Sequence, residues 1–168
     1  MSGKKIGGAG LRGQSAGETS ICTVGVSGSG LTYRGFDIVD LAENTTFEEV
    51  AYLLLKGKLP NSQELKAYIE KLKTLRGLQP ELRSTLEGIP KTAHPMDVLR
   101  TGCSVLGNLE QEEGFINQTD HADRMLSAFP SILSYWYQYS HYGKRIDTET
   151  SDDTIGGHFL HLLHGKKP

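Results

Sequence analysis

Histidine is the side chain best suited to moving protons or holding metal ions near neutral pH. This sequence places His158, His161 and His164 three residues apart near its end. Helical neighbours at that spacing can share a metal ion, and zinc takes imidazole ligands. Steps of three drift around a helix, however, and no cysteine or supporting carboxylate stands close by in sequence, so helix packing or capping is the better reading. His94 could act as acid or base. Lying just before Pro95-Met96-Asp97, it better suits a helix cap, because proline favours the first helical turn and an acidic residue suits the positive helix N-terminus. Cys22 and Cys103 have neither CxxC spacing nor a local histidine cluster, which fits reduced thiols in a cytoplasmic protein. The run from Ser134 to Tyr142 is dense in aromatics and could stack nucleobases, but it has no basic surround, so packing is preferred. Val26-Ser27-Gly28-Ser29-Gly30 matches neither phosphate-loop spacing and reads as a turn. No Ser/His/Asp order, HExxH or carboxylate pair stands out. Composition and spacing alone yield no active site.

The bulk numbers exclude some partners. Among 168 residues, Lys and Arg number 18 against 20 Asp and Glu, for a net charge of −2, and the two signs are interleaved. Nucleic acid is therefore not expected as a partner. No apolar run reaches the roughly 18 residues that a membrane span needs. The basic N-terminus lacks an apolar core and is no secretory signal. A cytoplasmic protein is expected.

The elements that must position these residues are mostly helical. Residues 1–19 are Gly-rich and read as a flexible segment. The runs 20–24 and 31–34 read as a β-hairpin, with Tyr33-Arg34-Gly35 a polar break before the first helix, its arginine holding a carbonyl or carboxylate. Asp37–Ala42 reads as a short helix. Thr46-x-x-Glu49 and Asn61-x-x-Glu64 are capping boxes for the next two, stopped by Gly57 and by Gly77. A short helix follows over 80–88. The helix opened by His94-Pro95-Met96-Asp97 runs to about Gly107; its small Gly102, Cys103 and Ser104 allow a close neighbour, which makes it central. Arg100 in its middle needs a partner or a route to water. Residues 108–118 read as a surface loop. A long helix starts near Thr119, with Pro130 as a kink or break, and Ser151–Thr154 cap a last one. The fold class expected is all-α, multi-helical, with a small N-terminal β-hairpin.

Several of these segments together resemble one family. Tyr33-Arg34-Gly35-Phe36-Asp37-Ile38, Phe47-Glu48-Glu49-Val50-Ala51-Tyr52-Leu53-Leu54, Leu59-Pro60, Glu64-Leu65 and His94-Pro95-Met96-Asp97-Val98 are similar to stretches of bacterial citrate synthases. Ser134-Tyr135-Trp136-Tyr137, Tyr139-Ser140-His141, and Ile155-Gly156-Gly157-His158 with the helix to Gly165 resemble the 2-methylcitrate synthase branch of that family. The resemblance extends over nearly all of residues 15–168.

The resemblance implies that residues 20–168 are the N-terminal part of the helical large domain of a homodimeric enzyme. It would condense propionyl-CoA, or acetyl-CoA as a side activity, with oxaloacetate and then hydrolyse the thioester, as part of propionate catabolism. No metal or cofactor is implied, coenzyme A entering as a substrate. In the family an Asp removes the α-proton, one His stabilises the enol and another polarises the ketone. Those groups belong to segments beyond Lys166-Lys167-Pro168, so no catalytic residue carries over and the chain alone is expected to be inactive. Lys73 is the position that best matches a basic substrate contact on the helix after Leu59-Pro60, with Lys71 and Arg76 beside it. The alternatives are a citrate synthase of the tricarboxylic acid cycle, a non-catalytic helical dimerisation or binding module, and a helical metal-binding domain using the three late histidines. Amphipathic faces left uncovered would expose apolar patches and promote association.

Overall fold

A computed structural model describes residues 17–25, 30–114 and 116–168. Most of the segment expected to be flexible, residues 1–19, and the Gly-rich turn at 26–29 lie outside these residues.

The chain opens with β1 (Cys22–Val24), β2 (Leu31–Tyr33) and β3 (Phe36–Asp37) in one antiparallel sheet of order β1-β2-β3. The expected hairpin thus gains a third strand. Tyr33 pairs with Phe36 across the two-residue link Arg34-Gly35, and both linking residues have positive φ, 49° and 88°. That is the turn whose twist matches paired strands, and glycine is natural at its second position. Arginine is not natural at its first. Arg34 instead uses its guanidinium, donating from Nη1 to Ser20 Oγ at 2.6 Å and from Nη2 to the Leu54 carbonyl at 2.9 Å. The polar break is therefore a strand–strand turn, and the arginine does hold a carbonyl.

Seven helices follow among the described residues: α1 (Ile38–Asn44), α2 (Phe47–Lys56), α3 (Ser62–Thr74), α4 (Pro80–Glu87), α5 (Pro95–Leu109), α6 (Gln118–Tyr142) and α7 (Ile155–His164). The all-α class with a small sheet stands. Both capping boxes form: Glu49 and Glu64 return hydrogen bonds to the amides of Thr46 and Asn61, satisfying donors that the first helical turn leaves free. His94 caps α5, its Nδ1 accepting from the Met96 amide at 3.2 Å.

Helix α5 packs against α4 and α6, where Leu82, Leu86, Val98, Leu106, Ala128 and Ile132 form the buried core. The close approach comes from Gly102: a Cβ there would meet Ile132 Cγ2 at 2.8 Å. Arg100 faces water, its side chain 78% exposed and 3.2 Å from Asp97. Helix α6 continues through Pro130 rather than breaking there. Proline removes one amide donor, but burial of Ala128, Ser131, Ile132 and Ser134 on both sides of it holds the helix together. Tyr135 and Trp136 are buried in the core, the phenol donating to Glu87 and the indole to the Ile89 carbonyl. The aromatic run packs, as expected.

Candidate functional site

Lys71, Lys73 and Arg76 leave the end of α3 in three different directions. Lys71 Nζ reaches Asp120 at 2.6 Å and Asp123 at 2.7 Å on α6. Burial opposes its charge, but the two carboxylates outweigh burial and raise its pKa. Asp123 is fully buried and also accepts from Tyr68 Oη at 2.8 Å. The Tyr68 phenol is pushed well above its ordinary range, first by burial and then by that carboxylate.

Lys73 Nζ lies between Glu70, at 2.9 Å, and Asp153 in the turn before α7. Hydrogen bonds to Asp153 and Glu70 raise its pKa, and Lys73 in turn lowers that of Asp153. Lys73 is thus already paired twice, so an anion would have to displace a carboxylate to reach it.

Arg76 is the buried member of the three, 1% exposed. It donates from Nη1 to the Thr150 carbonyl at 2.8 Å and from Nη2 to the Thr154 carbonyl at 3.4 Å, while Nε has no partner. Burial lowers its pKa, opposed by the fields of Asp152 and Glu48.

These contacts form the floor of a polar junction beneath α7. His158 is fully buried, with Nε2 3.0 Å from Ser131 Oγ and Nδ1 2.9 Å from Thr150 Oγ1. One nitrogen of a neutral imidazole donates and the other accepts, so it can serve both hydroxyls. Burial, then the nearby Arg76 charge, push its pKa down to about 4. His161 Nδ1 lies 2.7 Å from Asp152 Oδ2. Burial works against the Asp152 carboxylate, but hydrogen bonds from Thr150 and His161 prevail and keep its pKa below the usual range. Glu48 Oε1 accepts from the Ile155 amide at 2.7 Å, capping α7 from α2 across 107 residues of sequence. His164 lines a different cavity of about 430 Å³ with Tyr137, Gln138, Tyr142, Lys144 and Leu163. The three histidines therefore diverge, and among the described residues no three His, Cys, Asp or Glu side chains gather as a metal site.

Beside the junction lies an open apolar groove of about 490 Å³, walled by Phe47, Leu99, Phe129, Leu133, Ile155 and Phe159. Its α2 wall is poorly covered: Phe47 is 56% exposed. No helix among the described residues is long and apolar enough to cross a membrane.

The roles of Arg76 and Glu48 were not foreseen from sequence. Glu48 stands in the first turn of an amphipathic helix, where an acidic residue is normally solvated. The available signal was slight: the hydroxyls of Ser131 and Thr150 can flank a buried imidazole, but Arg76 donates mainly to the backbone carbonyls of Thr150 and Thr154, which no side-chain type announces.

Residues 10–168 match the family model described as citrate synthase, C-terminal domain. The chain belongs to the citrate synthase family. A 2-methylcitrate synthase of Shewanella oneidensis is 68% identical over 98% of this chain and 44% of its own length. The citrate synthase of Thermotoga maritima superposes with a TM-score of 0.78 at 34% identity, covering 95% of this chain and 42% of that one. A Thermoplasma acidophilum citrate synthase, solved as a ternary complex with carboxymethyl coenzyme A and oxaloacetate, shares the fold at TM-score 0.83 and 21% identity, over 94% of this chain and 42% of its own. This member of the citrate synthase family thus spans less than half the length of the relatives that it matches.

Proposed function

We propose that this chain is the N-terminal part of the large helical domain of a 2-methylcitrate synthase, which condenses propionyl-CoA with oxaloacetate and releases 2-methylcitrate and coenzyme A. The observation that carries this reading is 68% identity to such an enzyme, sustained over 98% of the chain rather than confined to one motif. The reaction needs no cofactor beyond coenzyme A as substrate. Propionate catabolism, a cytoplasmic location and a homodimeric assembly belong to the same proposal.

In this reading residues 20–168 are scaffold. The core between α4, α5 and α6 fixes the long helix, and the junction beneath α7 fixes the start of α7 against α2. The apolar groove seats segments that the relatives carry beyond the matched stretch, because more than half of their length lies outside it. Lys73 is the proposed substrate contact. Its two carboxylate partners hold the ammonium in one place, ready to exchange one of them for an anionic substrate group.

The test measures coenzyme A release from propionyl-CoA plus oxaloacetate, by a protein spanning the relatives' full length and by the 168-residue chain. Turnover by the long form and silence of the short one is the expected result. Equal rates with acetyl-CoA would move the reading to citrate synthase, and no turnover with either thioester would end it. Within that assay Lys73→Ala raises KM for a substrate while Lys71→Ala does not.

A further inference from the structure

Away from α7, two sulfur-bearing side chains meet between α5 and α6. The Cys103 thiol donates to the Met125 thioether with the sulfurs 3.5 Å apart. A single ion at the usual metal–sulfur distance of about 2.3 Å can touch both. They line a cavity of about 300 Å³ that His121 also lines. His121 precedes Met125 by four residues on α6, so both side chains leave the same helix face. The His121 Nε2 is buried and has no hydrogen-bond partner. Buried polar atoms are nearly always paired, so this nitrogen is a donor position with nothing to hold.

We propose that Cys103, Met125 and His121 form a binding site for a soft monovalent metal ion, Cu(I). Thiolate and thioether favour Cu(I) over hard cations, and imidazole is an acceptable third ligand. His, Cys, Asp and Glu side chains by themselves gather into no group of three among the described residues; the Met125 thioether completes the set. The surrounding charges permit a cation. Arg124 also faces the cavity, but its Nε is held by both Glu110 oxygens at 3.0 and 3.2 Å and another of its nitrogens by the Leu75 carbonyl. Glu112 adds a further anionic group to the rim. On binding, the Cys103 thiol releases its proton to solvent and the thiolate–copper bond replaces the S–H···S contact. The ion arrives as Cu(I) and leaves unchanged, so no electron is transferred. Metal held this way would pin α5 to α6.

The experiment titrates the reduced 168-residue chain, without oxygen, with Cu(I) buffered by a competing chelator, and repeats it with Ag(I) as a redox-inert probe. One equivalent binds, and of the methionine ε-methyl resonances only that of Met125 shifts. Cys22→Ser leaves binding intact and Cys103→Ser abolishes it. Met125→Leu and His121→Gln each weaken it at least about tenfold, the lower end of what even outer-shell partners contribute. Binding that survives Cys103→Ser, or that ignores both other substitutions, would reduce the site to an ordinary thiol and overturn the proposal. Should Cys103→Ser unfold the chain, the wild-type methyl spectrum decides: an unmoved Met125 signal sinks the idea.

Discussion

Ser131 and Ile132 are adjacent on α6 and equally buried, yet they face two kinds of interior. Ile132 enters the apolar core with Leu82, Leu86 and Val98, whose side chains meet it by shape alone, the hydrogen bonds of Tyr135 and Trp136 lying further along the helix. Ser131 faces the junction, where α7 is held by His158, Thr150, Arg76 and Glu48 through directed hydrogen bonds. The surroundings of Ile132 depend on volume and hold no titrating group. The junction depends on every partner being present, because a buried polar group left unpaired loses its hydration without recompense.

Removing volume from the apolar side gives the largest effect. Ile132→Ala is expected to destabilise the fold by about 2–5 kcal/mol, the range for large-to-small changes in a packed core. The loss should be the same at pH 5 and pH 7.5 in urea unfolding. Gly102→Ala should be harmful alone, since its Cβ meets Ile132 Cγ2, and nearly silent once Ile132 is alanine. If the two substitutions simply add, the close approach of α5 to α6 is not what Gly102 provides.

The polar side is expected to respond to acid instead. His158 has a pKa of about 4 in the fold against an ordinary value of 6.5. Between those values the unfolded chain holds a proton that the folded chain refuses, so stability falls as pH falls. It is complete above about 6.5 and drains away towards 4, to a total of about 3 kcal/mol. His158→Gln, which keeps a donor and an acceptor without titrating, should flatten this slope while Ile132→Ala leaves it unchanged. A slope that persists in His158→Gln would place the acid sensitivity elsewhere.

Glu48 tests whether the junction is held from α2. Glu48→Ala removes the acceptor for the Ile155 amide and should cost about 1–3 kcal/mol, the penalty for a buried donor left unmade. Glu48→Gln keeps an oxygen there and should recover most of it. Hydrogen exchange locates the change: the first amides of α7 lose protection and those of α5 do not.

The apolar interior was the legible one. Helical spacing of leucines, the two capping boxes and the small residues around Gly102 all act locally, so they can be read from sequence. At Pro130 the helix does not break, since a local rule is overridden by packing on both sides of it. The junction was illegible because its pairs lie far apart in sequence: Arg76 with Thr150, Ser131 with His158, Glu48 with Ile155. His158 drew notice for its spacing, but its neighbours along the helix do not share its surroundings. Lys73 was placed by resemblance, and its carboxylate partner Asp153 was likewise beyond the reach of spacing.

The smallest effect separates a local cap from the contacts that it supports. Thr46→Ala removes the hydroxyl that accepts from the Glu49 amide and should cost about 1 kcal/mol. Thr46 touches neither interior. Its helix carries Glu48 two residues further on, however, so fraying at the start of α2 releases the acceptor that holds the Ile155 amide. Hydrogen exchange should therefore quicken at the α7 N-terminus as well as in α2, with the α4–α6 core unaltered. Loss confined to α2 would mean that Glu48 is held in place by burial rather than by its helix, and would separate the junction from the cap.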